Sequence, residues 1–476
     1  MNLSEQTRKL VDRVIENNDW RQQRCFNLIP SENTPSLLVK AMEISDPSGR
    51  YAEHRTMKGR EVYFYQGIDL IRDVEEECRE AICTYFGCPR AELRPVSGQM
   101  ANEVVFKAVT AFVNRGRGEG EPWRRISCVM NNELTLGGHL SSQPMGALFN
   151  YVDFDSAGKE RVVSFPIRSD NLYKIDTEAL GNLLPETRPE LIIFGKSMFL
   201  HPEPVSFVRE IIKDWDPRPV VMYDMAHVLG LYGAFQDPLA EGADIVTGST
   251  HKTFFGPQRG VIASTLEKGH PLSKLWLNIK GRAFPGSTSN HHLGTLLGLL
   301  MATYEMNAYK QEYQDQVRRN AKAWAKALKA TGLDVQGDPA DGYTETHQVV
   351  IRVSEHGPAD QIARRLEDNN IVCNYQALPD DETFLQSSGL RTGVPEMTRF
   401  GMQEEDFGPL AQFFADCVIR DKPVADEVAA YRQKFLTMRY CLPAAEAAPL
   451  AARVLHGIFP RSDYAKQFAE NLLALC

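Results

Sequence analysis

The sequence predicts an α/β protein: a large domain built on a mainly parallel sheet, followed by a smaller α+β domain. From about residue 47 to 295, short apolar runs (Ile126–Met130, Leu191–Phe194, Val220–Tyr223, Ile245–Thr247 and Val261–Ala263) alternate with helical patterns. Strands covered by helices on both faces read as unbroken apolar runs, so this alternation indicates parallel strands joined by helices. After Leu293 the rhythm changes to one long helix through about Ala330, then an apolar strand over Gln348–Val353, a helix from about Ala359 to Asp368 and a short strand near Ile371. No repeat and no low-complexity linker separates the segments, so the domains should pack closely.

The expected divisions are an N-terminal helix and arm (1–46), the large domain (47–295), the small domain (296–422) and a helical C-terminal extension (423–476). In the arm, Leu3, Leu10, Val11 and Val14 recur at helical spacing before a turn at Pro30, so the helix needs a surface to lie on. The extension shows helical apolar spacing at Val428, Tyr431 and Phe435, then Ala/Leu-rich segments that Pro443, Pro449 and Pro460 are expected to break.

With 476 residues, 43% hydrophobic and 24% charged, the chain has the composition of a soluble globular enzyme with a large core. A net charge of -9 without a long Lys/Arg run argues against a nucleic-acid partner held by phosphate neutralisation. Nine cysteines lack any Cys-x-x-Cys pair, and the spacing of Cys78, Cys83 and Cys88 suits neither a zinc site nor a disulfide scaffold. Reduced thiols and no metal are expected. The first residues lack an apolar signal core, and the longest apolar run, around Leu293 to Ala302, is too short to span a bilayer. The expectation is a cytoplasmic protein with no membrane partner.

Two segments carry the chemistry: Val220-Val221-Met222-Tyr223-Asp224-Met225-Ala226-His227 and Gly248-Ser249-Thr250-His251-Lys252-Thr253. An acid ending a buried strand supplies a fixed anion for the pyridinium nitrogen of pyridoxal phosphate (PLP), and a lysine beyond the next strand supplies the amine for a Schiff base. Singly, such an Asp caps a strand and such a Lys is a surface charge; together, with the Ser249 and Thr250 hydroxyls, they point to PLP. Ser97-Gly98-Gln99 precedes Ala101, Val104, Val105 and Ala108 at helical spacing, and so opens a helix whose free N–H groups suit a dianionic phosphate. An ordinary Ser N-cap gives the same pattern. His139 follows Gly137-Gly138, where the missing side chains let the backbone approach a cofactor.

These segments, with Leu28-Ile29-Pro30-Ser31-Glu32-Asn33, Tyr51-Ala52-Glu53, Val96-Ser97-Gly98-Gln99-Met100-Ala101-Asn102, Phe284-Pro285-Gly286 and Gly389-Leu390-Arg391-Thr392-Gly393, resemble the serine hydroxymethyltransferase family over roughly residues 25 to 420. The resemblance implies the aspartate-aminotransferase-like fold (fold type I), with a mainly parallel seven-stranded sheet in the large domain, and PLP as cofactor. It implies that Lys252 forms the cofactor linkage, Asp224 faces the ring nitrogen, His139 stacks on the ring and His227 lies beside it. Ser97, Gly98 and Gln99 would form the phosphate turn, with Gln99 replacing a second serine, while Ser249 and His251 flank the lysine and Ser197 lies near the phenolic oxygen. Arg391 would hold the substrate carboxylate with Ser31 as second contact, and Glu53 would be the catalytic carboxylate. Tyr51 and Tyr65 align with two active-site tyrosines, Tyr63 being an alternative to Tyr65. The family shares sites across a homodimer, with the tyrosine segment and the loop carrying Gly286 reaching a neighbour's cofactor.

The implied reaction breaks or makes a Cα–Cβ bond of a small amino acid through a glycyl carbanion: serine hydroxymethyltransferase-like interconversion of serine and glycine, with tetrahydrofolate as candidate co-substrate. A folate-independent threonine aldolase or transaldolase is the alternative on the same machinery, and an aminotransferase or decarboxylase is one of another class. Departures gather on the folate side. His54 replaces a family glycine, Leu136 a histidine and Gln376 an asparagine, and Ser287-Thr288-Ser289-Asn290-His291-His292 replaces a Gly-rich loop.

Overall fold

The computed structural model describes residues 2–58, 60–118, 120–383, 386–458 and 463–474. Seven strands form the central sheet: β1 (Arg90–Glu92), β2 (Val129–Asn131), β3 (Val162–Ser164), β4 (Leu191–Phe194), β5 (Val220–Asp224), β6 (Ile245–Ser249) and β7 (Gly260–Ser264). Their order is β1-β7-β6-β5-β4-β2-β3. β7 runs antiparallel to both neighbours, and every other adjacent pair is parallel. The fold is therefore the α/β class with a mainly parallel seven-stranded sheet.

The unbroken apolar runs have a direct cause. Val221, Tyr223 and Val246 belong to one hydrophobic core, whereas Val220, Met222 and Ile245, pointing the other way, belong to a second core on the opposite face. Strands packed on both sides need apolar residues at every position. The edge strands β1 and β3 are short and mixed in composition, so they lack that signal, and the hairpin His54–Met57/Arg60–Tyr63 lacks it too. Ile126, read as a strand start, makes only an isolated bridge to Val152 before β2 begins at Val129.

A helix over Leu293–Ala330, roughly 57 Å long at 1.5 Å per residue, runs from the large domain into the small one. The small domain has a four-stranded antiparallel sheet ordered Asp334–Val335, Gln348–Arg352, Gly389–Gly393, Asn374–Gln376. The strand near Ile371 does not join it, because Ile371–Val372 pairs in parallel with Phe26–Asn27 of the N-terminal arm.

The first helix, Leu3–Asp19, opens with a capping box of Asn2 and Glu5 and buries no residue within the chain. Leu3, Leu10, Val11 and Val14 are all exposed. At the other end, the helix Ala425–Arg432 stacks Tyr431 on Phe26 at 5.7 Å. The following helix, Ala444–Ile458, contains Pro449, which therefore does not break the segment as expected. Ala447 and Ala451 pack against Leu38 and Ala41, and this tertiary contact outweighs the lost backbone hydrogen bond. Pro460 lies outside the described residues. No helix among the described residues is long and apolar enough to cross a membrane, and the described cysteines are all free thiols.

Candidate active site

The parallel strands deliver their C-terminal ends to one side of the sheet, where functional groups of such folds collect. Asp224 ends β5 and is 1% exposed. Its Oδ2 accepts from Asn102 Nδ2 at 2.7 Å and lies 2.5 Å from His139 Nδ1, while Oδ1 accepts from the Ala226 N–H at 2.9 Å. Burial by itself would raise this carboxyl, but His139 and these donors outweigh it and hold Asp224 below the ordinary range, so it is an anion.

Lys252 follows β6 in a tightly fixed turn. Its carbonyl accepts from Asn33 Nδ2 at 3.0 Å, and the neighbouring Thr253 hydroxyl donates to the His227 carbonyl at 3.1 Å while accepting from the Gly230 N–H at 2.9 Å. The Lys252 amine lies 3.1 Å from His227 Nε2. Burial lowers its pKa to about 8, with Asp224 opposing and Arg391 assisting the shift. Burial and the adjacent Lys252 likewise hold His227 well below its ordinary value, so it is neutral. The rings of His227 and His139 meet edge to face, with centroids 5.3 Å apart. Lys252, His227, His139 and Asp224 thus form one continuous group, with Asp224 and His227 buried and Lys252 and His139 half-buried.

Ser97 caps the helix Gly98–Val113, its hydroxyl accepting from the Met100 N–H at 3.1 Å. A Cβ on Gly98 would sit 2.2 Å from Ser249 Oγ, and one on Gly260 would sit 2.1 Å from the Ser97 carbonyl. The turn Ser97-Gly98 is therefore pressed against the end of β6, while Gln99 is exposed. Gly137 has φ +87°, and a Cβ on Gly138 would meet the Asn132 carbonyl oxygen at 2.3 Å, so these glycines permit close packing of the chain on itself.

Arg391 lies on the strand Gly389–Gly393, is buried, and donates from Nη1 to the Ser197 carbonyl at 2.8 Å. Burial lowers its pKa to about 10. No carboxylate among the described residues pairs with it. The Ser31 segment adjoins this strand: Gly393 N–H donates to the Leu28 carbonyl at 2.8 Å, and a Cβ on Gly393 would touch Pro30. His251 is partly buried, and burial with the Lys252 charge lowers its pKa to about 4.

The remaining predicted residues stand elsewhere in the chain. Tyr51 and Tyr65 are exposed and pack on each other at 5.3 Å, Glu53 precedes the hairpin, and Gly286 is exposed, its carbonyl accepting from Lys107 Nζ at 3.1 Å. Among the described residues no hydrogen bond or ion pair joins these four to the Lys252 group. Asn102, Asn33 and His347, which bonds the Pro30 carbonyl at 3.1 Å, were not anticipated. Asn33 and Asn102 end two of the segments that carry the resemblance, but their bonding partners are distant in sequence and no local pattern assigns them these contacts.

Comparison with known proteins accords with this arrangement. A family model described as serine hydroxymethyltransferase matches residues 3–414. A serine hydroxymethyltransferase from Pyrobaculum islandicum is 36% identical over 443 residues, covering 92% of this chain and 95% of the relative. One from Methanothermobacter thermautotrophicus is 38% identical over 447 residues, covering 93% and 97%. Among solved structures, L-threonine transaldolase from Pseudomonas fluorescens, in its internal aldimine state, superposes with a TM-score of 0.81 at 26% identity, covering 96% of this chain and 99% of that one. The chain belongs to the serine hydroxymethyltransferase family.

Proposed function

We propose that this chain is a PLP-dependent enzyme that cleaves and forms the Cα–Cβ bond of a β-hydroxy amino acid, interconverting serine and glycine with the one-carbon unit passed to tetrahydrofolate. The observation that carries this reading is the group joining an anionic Asp224 to a lysine whose pKa burial has lowered to about 8. The residues present fit the cofactor. Asp224 Oδ1 has a single donor and can accept another, His227 Nδ1 and His251 Nδ1 are buried without partners, and Gly98 leaves bare backbone at a helix N-terminus beside the Ser97 and Ser249 hydroxyls.

When bound, PLP supplies an electron sink for charge developing at the substrate Cα. The protein's own groups do the rest. Lys252 offers an amine that is free of its proton at mildly alkaline pH, and so can form the covalent link. Asp224, its orientation fixed by Asn102 and His139, would hold a proton on the ring nitrogen. Ser97, Gly98, Gln99 and Ser249 would hold the phosphate, and Ser197 and His251 would contribute to the rest of the cofactor site. Arg391, lacking a carboxylate of its own, pairs with the substrate α-carboxylate, assisted by Ser31. Glu53 exchanges a proton with the substrate hydroxyl.

Tyr51, Tyr65 and Gly286 act in the site of a second copy within a homodimer. The exposed apolar row of the helix Leu3–Asp19 and the exposed Tyr51, Phe64 and Tyr65 support this assembly. Free thiols suit a reducing cytoplasm. A second reading, a folate-independent threonine transaldolase or aldolase, is favoured by the likeness to the Pseudomonas fluorescens enzyme and by the changed segments at His54 and 287–292. Incubation with L-serine and with L-threonine, each with and without tetrahydrofolate, separates them. Serine cleavage accelerated by tetrahydrofolate is expected; threonine turnover with no folate response would replace the first reading by the second.

A further inference from the structure

Two of the segments in which this chain departs from the family pattern meet in space. His54, directly after Glu53, places Nδ1 3.1 Å from Glu61 Oε2 and Nε2 2.9 Å from Glu75 Oε2. The other oxygen of Glu75 lies 2.5 Å from His291 Nε2, in the segment 287–292. Arg259 closes the far side, its Nη2 donating to His291 Nδ1 at 3.1 Å. Because an arginine only donates, His291 Nδ1 is an acceptor and its single proton sits on Nε2, within ion-pair distance of Glu75 but without hydrogen-bond alignment. His54 has a carboxylate at each nitrogen: Nδ1 is hydrogen-bonded to Glu61, and Nε2 lies within ion-pair distance of Glu75 without hydrogen-bond alignment, a setting that favours the doubly protonated ring.

Asn290 of the same segment holds the adjoining backbone. Its Nδ2 donates to the Arg50 carbonyl at 2.7 Å, and its Oδ1 accepts from the Ala52 N–H at 3.5 Å. The Glu53 carbonyl accepts from the Phe64 N–H at 3.0 Å, whereas its side chain makes no hydrogen bond or ion pair to described residues. The carboxylate at position 53 is thus aimed by its neighbours rather than by a partner of its own.

We propose that His54 is a positioning residue: a protonated imidazole wedged between Glu61 and Glu75 that, with Asn290 and His291 behind it, fixes the backbone carrying Glu53. This rests on Glu53 being the proton-exchanging carboxylate of the proposed reaction. The groups facing His54 are Glu61 and Glu75, the Tyr63 ring stacked on it at 4.6 Å, and Arg94; Lys280 pairs with Glu61, and Arg259 lies behind His291. Burial opposes the charge on His54, but the two carboxylates prevail and raise its pKa, while both glutamates are lowered to about 2. The wedge therefore persists to higher pH than an ordinary histidine would allow and loosens as pH rises through the raised histidine value.

The test uses the PLP-loaded enzyme with ring-nitrogen-labelled histidine, followed by NMR across pH, alongside kcat and KM for serine cleavage in wild type, His54→Gln and Glu75→Gln. Expected are a His54 titration above the ordinary histidine value, one moved downward in Glu75→Gln, and about a tenfold fall in kcat in His54→Gln at unchanged KM and unchanged cofactor absorbance. A His54 that titrates at or below the ordinary histidine value, or a His54→Gln enzyme with wild-type kcat, overturns the proposal. Should His54→Gln fail to fold, Glu75→Gln decides: its high-pH decline in kcat must begin at lower pH than in wild type, and an unmoved decline refutes the wedge. A wild-type enzyme that cleaves neither serine nor threonine would instead defeat the role given to Glu53, and the NMR titration would still decide the state of His54.

Discussion

Lys252 and Glu53 stand in opposite surroundings. Lys252 lies in a turn whose backbone and neighbours are bonded to Asn33, His227 and Gly230, its amine buried against a histidine, with Asp224 completing the group at the end of the adjacent strand. Glu53 lies at the foot of a two-stranded hairpin, between the exposed Tyr51 and the wedged His54, with a side chain bonded to nothing described. The first region is finished within one chain. The second leaves the Glu53 side chain without a bonded partner among the described residues. Strand ends can fix a charge and an amine rigidly, since both are set by the sheet's register, whereas a hairpin can be presented to a neighbouring molecule only if it projects.

The comparison breaks most visibly at Lys252. Lys252→Ala is expected to lose the visible absorbance of the linked cofactor and at least about 10³-fold in turnover, read by spectroscopy and serine cleavage. Activity within tenfold of wild type would mean that the finished cluster is not the reacting one. Arg391→Lys should lower kcat/KM by about ten- to a hundredfold, mainly through KM, because a point charge replaces a bidentate fork at a buried position. A fall confined to kcat would place Arg391 away from the substrate carboxylate.

A smaller effect sharpens the contrast through pH. Burial removes the Lys252 ammonium from water and Arg391 adds positive charge, so the protonated form is disfavoured and the pKa falls to about 8. The rate at which cofactor-free protein takes up PLP should therefore rise through about pH 8 and level above it. A midpoint near the ordinary lysine value would mean a solvated amine. The smallest effect on the folded chain is expected at the first helix: Val11→Asp with Val14→Asp should cost less than about 1 kcal/mol of thermal stability in the subunit, since neither side chain is buried. Sedimentation should nonetheless show a shift from dimer to monomer. An unchanged mass would remove this helix from the interface.

The same contrast governs what was legible in the sequence. The central strands announced themselves because residues alternating between two cores must all be apolar, and Asp224 and Lys252 were found because each follows such a run. The helix expected from about Ala359 to Asp368 spans those residues. The edge strands Arg90–Glu92 and Val162–Ser164 escaped, being short and half polar, and Pro449 misled because its helix is held by packing on Leu38 and Ala41. Asn102 escaped because its bond to Asp224 spans 122 positions. The meeting of His54, Glu75 and His291 was equally hidden: two of its members were noticed as departures, and only the fold shows that they share a carboxylate.

Whether Lys252 and Asp224 serve one cofactor site is decided by reducing the PLP-loaded enzyme with borohydride and mapping the fixed label by peptide mass spectrometry. The label should fall on the peptide containing Lys252 and disappear in Lys252→Ala. Label on any other lysine, or on none, would contradict the account.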